Sequence, residues 1–120
     1  LAEIMEIKIK NLHIRLIVSC QERERKKKQN IRINIILFTE DETAVSSDRL
    51  TDSIDYEKLT QKIVKSVAKT KFFLLEKLAG YIAEIILQEP RVENVVVEVD
   101  KPHALRYADA VSVTLSRSRN

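Results

Sequence analysis

With 120 residues, 44% of them hydrophobic and 32% charged, the chain has the composition of a single folded domain spanning residues 1–120. Basic residues number 21 against 18 acidic ones, and much of the +3 net charge sits in Arg23, Arg25, Lys26, Lys27 and Lys28. The lone glycine, Gly80, excludes a Walker-type or dinucleotide-type phosphate loop, the lone cysteine, Cys20, excludes an internal disulfide framework, and no apolar run reaches bilayer length.

In chain order, residues 4–18 read IMEIKIKNLHIRLIV. Ile7 and Ile9 share one parity and Leu12, Ile14, Leu16 and Val18 the other. A long strand with a bulge at Lys10 and Asn11 accounts for this slip with one device. Residues 19–28 are polar and highly charged, a turn. Alternation resumes over residues 30–39, with Ile31, Ile33, Ile35 and Leu37 on one face, so the two runs form an antiparallel hairpin. Residues 40–54 are acidic and hydroxyl-rich, a loop with at most a short helical turn. Asp55 can cap a helix whose apolar positions Leu59, Ile63, Val64 and Val67 recur at helical spacing up to about Thr70. A second helix is expected from near Phe73 to Gln88, with Pro90 marking its end. Residues 92–99 and about 107–116 read as the last two strands.

Two hairpins separated by two helices predict an α+β domain of order β-β-α-α-β-β, a four-stranded antiparallel sheet with both helices on one face. Its other face would still carry Ile36, Phe38 and Val96, and its two edges would be long and unpaired. Such a monomer is incomplete, and closure by neighbouring copies is the natural remedy.

Polar chemistry concentrates in the insert between the last two strands, where Lys101, Pro102, His103, Arg106, Tyr107 and Asp109 fall within nine residues. A lysine at a strand end is commonly solvated, yet partial desolvation would suit it to proton transfer. Tyr56 at a helix start can pack or relay a proton. Glu24, between Arg23 and Arg25, has a surface ion pair as its ordinary role. Glu76 is surrounded by leucines near a helix start and stands one turn from Gly80, where another backbone or a ligand can approach closely. His13 and His103 with the single cysteine give neither metal-ligand spacing nor a Cys–His pair, so no metal is expected. Aromatic residues are few and do not interleave with the basic run, which argues against nucleic acid. An N-terminus without signal-peptide character predicts a cytoplasmic protein with no membrane association.

The sequence resembles the dihydroneopterin aldolase and epimerase family over nearly its whole length, from IKIKNLHIR at Ile7 to Ser116. The resemblance is carried by the Glu24 to Gln29 spacing, by Tyr56, by FFLLEKLA beginning at Phe72 and by DKPHALRYAD beginning at Asp100. HALRYAD after the lysine is closer to the epimerase branch. The fold implied is the tunnelling fold (T-fold), in which four subunits join their sheets into a ring-shaped barrel and two rings stack as a homo-octamer. The implied substrate is a dihydropterin, with no cofactor. Lys101, Tyr56 and Glu24 match the family's catalytic positions. A buried glutamate that holds the pterin ring falls on Glu76, with Leu75, Ser19, Arg106 and His103 as further substrate-binding candidates. Such sites are assembled between subunits, so Tyr56 and Glu24 need not share a chain with Lys101 and Glu76.

The reaction implied first is 2'-epimerisation of 7,8-dihydroneopterin triphosphate by retro-aldol and aldol steps. The alternative is the aldolase reaction of folate biosynthesis, which releases glycolaldehyde and 6-hydroxymethyl-7,8-dihydropterin. A non-catalytic pterin or purine binder is a third reading. Ser19 stands where relatives commonly carry glycine; if that position needs positive φ, serine implies a changed turn and a changed pocket for the 2'-hydroxyl.

Overall fold

The first hairpin becomes two antiparallel strands, β1 (Met5–Leu16) and β2 (Gln29–Thr39). Their register slips between Ile9 and Leu12, where Asn11 takes a left-handed φ of 53° and donates its backbone N–H to Asn34 Oδ1 at 2.8 Å. Asparagine tolerates this conformation better than a branched residue would. The extra residue puts Ile7 and Ile9 on the same face as Leu12, Ile14 and Leu16, which is the function of the expected bulge. The computed structural model describes residues 3–21 and 27–119, so Glu24, Arg23, Arg25 and Lys26 lie outside the described residues.

The acidic segment after β2 forms a short helix, α1 (Thr43–Ser47), and a 3₁₀ turn, Leu50–Asp52. Arg91 ties this segment down by donating to the carbonyls of Thr51 and Ser53 at 2.8 and 2.9 Å and to Asp41 at 3.2 Å. Helix α2 (Tyr56–Ala68) starts where Asp55 accepts the N–H of Lys58 at 3.1 Å, and buries Leu59, Ile63 and Val67. Helix α3 (Leu75–Leu87) buries Leu78, Ile82 and Ile86, each contributing roughly 1.5–3 kcal/mol through removal from water. It begins two residues later than its periodicity suggests. Phe72 is held extended, donating to the Ile17 carbonyl and accepting from the Ser19 N–H, both at 3.0 Å, so the helix cannot start until that bridge is passed.

Strands β3 (Asn94–Pro102) and β4 (Ala110–Ser118) complete a four-stranded antiparallel sheet of order β1-β2-β3-β4. β3 outruns its expected end because Lys101 and Pro102 still pair with Val111 and Ala110. Proline supplies no N–H, and the ladder stops there. β4 correspondingly starts at Ala110, and Tyr107 belongs to the preceding turn.

Ile31, Ile33, Ile35 and Leu37 of β2 and Val95, Val97 and Val99 of β3 form the core face, covered by α2 and α3. The opposite face is open. It holds half-buried Ile36, Phe38 and Val96 beside polar pairs, Arg32 with Asp100 at 2.8 Å and Asn34 with Glu98 at 3.1 Å. The radius of gyration is 15.7 Å. A compact chain of this length would have about 13.6 Å, so the open sheet is extended for its size. Among the described residues no helix is long and apolar enough to cross a membrane.

Candidate active site

Lys101 belongs to the odd-numbered row of β3. Successive strand residues alternate faces, so its side chain follows Val95, Val97 and Val99 onto the core face, at the point where the helical layer ends. There the ammonium is half-buried and donates to the Val18 carbonyl at 3.2 Å. Carrying the valine alternation one step further in the sequence would have found this orientation; reading the strand as finished at Val99 hid it.

Val18 is itself held by a parallel bridge to Phe72, a contact between residues 54 apart that local patterning cannot reveal. Ser19 follows it and is 5% exposed, its N–H bonded to the Phe72 carbonyl and its hydroxyl accepting from the Gln21 N–H at 3.0 Å. Ser19 is not among the residues of positive φ, so no strain sets it apart from a glycine at that position. Cys20 donates its thiol to the Phe73 carbonyl at 3.2 Å. These contacts place the 17–20 segment against the strand-like lead into α3.

Leu75 and Glu76 are the first two residues of α3. Leu75 packs partly against the core and Glu76 is exposed. The buried glutamate implied by the family resemblance is therefore an exposed one on the single chain, because the first turn of α3 turns this position outward. No side chain caps this turn, and its leading N–H groups have no intrahelical acceptor. A carboxylate and open backbone donors thus stand side by side. Phe73 and Leu74, 61% and 48% exposed, flank them with apolar surface. Gly80, one turn further on, is approached by the Arg117 guanidinium, whose Nη1 donates to its carbonyl at 3.5 Å.

The turn after β3 keeps its residues near the same end of the sheet. His103 has φ 59°, and its N–H donates to the Asp109 carbonyl at 3.0 Å, closing a tight connection to β4. Arg106 stacks over Tyr107 at 5.6 Å from the ring centre, and Tyr107 is 92% exposed. Neither Arg106 nor Tyr107 turns toward the core.

Tyr56 is elsewhere. It opens α2, 58% exposed, beside Asp55 at the end of the sheet where β2 finishes and β3 begins. β3 reaches Lys101 seven residues after Asn94, so the two candidates are separated by about 20 Å of sheet. One chain thus gathers Lys101, Ser19, Leu75 and Glu76 at one end and leaves Tyr56 at the other.

Comparison with known proteins is consistent across the chain. Residues 7–116 match the FolB dihydroneopterin aldolase family. The chain is 39% identical over 113 residues to the dihydroneopterin triphosphate 2'-epimerase of Escherichia coli (strain K12), covering 94% of each protein. It is 34% identical to the protein of the same name from Pseudomonas aeruginosa, covering 94% of this chain and 92% of that one. Among solved structures it is similar to a dihydroneopterin aldolase from Burkholderia thailendensis bound to guanine, with a TM-score of 0.81, 25% identity and coverage of 98% and 93%. The architecture is that of the T-fold, and the chain belongs to the dihydroneopterin aldolase family of enzymes.

Proposed function

We propose that the protein breaks the C1'–C2' bond of a dihydroneopterin side chain, acting as a dihydroneopterin aldolase. The observation that carries this reading is the half-buried Lys101 ammonium, held at the Val18 carbonyl on the core face beside the start of α3. A pterin presents a 2-amino-pyrimidinone edge, and a carboxylate such as Glu76 can accept two parallel N–H bonds from it. Guanine offers the same edge, and its presence in the Burkholderia aldolase supports this mode of ring recognition. The open N–H groups of the α3 first turn and the apolar surface of Phe73, Leu74 and Leu75 are suited to the rest of the ring.

With the ring held, the 2'-hydroxyl loses its proton and the C1'–C2' bond breaks. The electron pair passes into the C6–N5 imine of the dihydropterin, so no Schiff base to the lysine is needed. Glycolaldehyde leaves, and a proton delivered to C1' gives 6-hydroxymethyl-7,8-dihydropterin. Lys101 is the group assigned to proton movement on its side of the substrate. Tyr56 is assigned to the same task from a neighbouring copy, because its own chain holds it at the far end of the sheet. Glu24 is assigned to the side-chain hydroxyls, and Ser19 to the pocket wall. Assembly of copies into a ring, and of two rings into an octamer, would cover Glu76, Phe73 and Leu74 and pair the end strands β1 and β4.

A second reading is favoured by the two 2'-epimerases to which the chain is 34% and 39% identical. Here the cleaved aldehyde rotates and re-adds through its opposite face, inverting C2'. Both outcomes share the cleavage step, and one preparation distinguishes them. Incubation with dihydroneopterin, and separately with its triphosphate, is expected to yield glycolaldehyde or its phosphorylated counterpart in step with 6-hydroxymethyl-7,8-dihydropterin. Accumulation of the 2' epimer without aldehyde establishes the second reading, and failure to convert either compound contradicts both.

A further inference from the structure

The open face of the sheet carries a groove of about 740 Å³ at the Lys101 end, lined by His13, Arg15, Lys28, Arg32, His103 and Asp109 among others. Alternation explains its chemistry. His13 and Arg15 of β1 lie opposite Arg32 and Asn30 of β2, all pointing away from the core, and Pro102 and His103 follow Lys101 at the tip of β3. Arg32 is neutralised by Asp100. Arg15 donates only to the Lys28 carbonyl, at 3.5 Å, and among the described residues neither Arg15 nor Lys28 makes an ion pair. Among the described residues that line the groove, Asp109 is the one carboxylate outside an ion pair.

Arg15 and Lys28 also line a second, smaller cavity of about 150 Å³, shared with Lys69, Thr70 and Lys71 beyond the end of α2. The positive surface is therefore continuous. It runs from the open face around the end of β1 and the start of β2 to the helical layer, and stops at Leu16 and Ile17, the residues that precede Val18, whose carbonyl holds Lys101. Consecutive residues of β3 face opposite ways, so Lys101 on the core face and Pro102 on the open face sit back to back at the strand tip, and His103, in the turn that follows, lines the groove beside Pro102. Several cations within one concave surface, with one opposing carboxylate, match the charge density of a chain of phosphates better than a single carboxylate or a neutral diol.

We infer that this groove holds an oligophosphate chain carried on the side chain of the dihydropterin substrate, with Arg15 and Lys28 as specificity-determining residues. The inference rests on the proposed reading of the Lys101 site. A phosphate chain leaving the reacting carbon near Lys101 passes around the sheet end and meets Arg15 and Lys28, which belong to both cavities. Unphosphorylated dihydroneopterin reaches neither.

The test compares kcat/KM for dihydroneopterin triphosphate and dihydroneopterin in the native protein and in the Arg15→Ala, Lys28→Ala double variant, alongside calorimetric binding of inorganic tripolyphosphate. The ratio of the two kcat/KM values is expected to fall about tenfold or more through KM, tripolyphosphate binding to weaken about as much, and the Arg15→Lys, Lys28→Arg variant to recover most of both. An unchanged ratio overturns the assignment, including when tripolyphosphate binding weakens, since the groove would then serve phosphate from another source. If neither substrate is converted, the reading of the Lys101 site has failed, and tripolyphosphate binding that is equal in native and variant protein separately refutes the groove.

Discussion

The two ends of the sheet are built from opposite charges. At the Lys101 end stand Arg15, Lys28, Lys69 and Lys71, none of them in an ion pair among the described residues, around a buried serine and an uncapped helix start. At the Tyr56 end the acidic segment supplies Asp41, Glu42, Asp52 and Asp55, and Arg91 binds three of its residues together. The Thr43 hydroxyl and N–H, both donating to Asp41, hold its carboxyl below the ordinary range, with Arg91 adding to the effect. The basic end leaves donors available to an incoming molecule, whereas the acidic end consumes its own donors internally. On the proposed reading one end receives a ligand, whereas the other holds a helix in place, and the helix it holds presents Tyr56 outward.

Substitutions at the two ends should therefore fail differently. The largest effect is expected for Lys101→Ala, where loss of the proposed proton-transfer group lowers kcat by roughly 10²–10⁴-fold. Guanine affinity, measured by calorimetry, should stay close to native because the proposed ring contacts lie at α3; a variant with native kcat would remove Lys101 from the chemistry. A smaller effect is expected at the other end for Asp55→Ala. Losing the cap of α2 costs about 1 kcal/mol in denaturant unfolding and leaves guanine affinity unaltered. A drop in guanine affinity matching that of a ring-binding variant such as Glu76→Ala would erase the distinction between the ends.

Much of this division was legible in the sequence, and the exceptions share a cause. The phase slip at Asn11, the Asp55 cap and the stop at Pro90 are local signals, and each placed an element correctly. The β-β-α-α-β-β order followed from them. What escaped was set by contacts distant in the chain. The pairing of Lys101 with Val111 extended β3 past its apparent end, and the Val18 to Phe72 bridge delayed α3 and brought Ser19 and Lys101 to one place. The basic groove is legible only in part, because Arg15 and His13 lie within a strand whose alternation reads as structural. The exposure of Glu76 on the single chain was not legible either, since which face of a helix start turns outward depends on what packs over it.

On the proposed reading, catalysis needs the Lys101 end of one copy and the Tyr56 end of another. Mixing chains tests it directly. Lys101→Ala and Tyr56→Phe proteins, each nearly inactive alone, are combined in equal amounts, unfolded and reassembled together. If sites form between copies, about a quarter of them contain both intact residues, and the mixture should recover about a quarter of native turnover. If the two residues serve one site within a single chain, every chain in the mixture carries a defect. Turnover no greater than that of the two parents, in reassembled protein that binds guanine normally, would contradict the account.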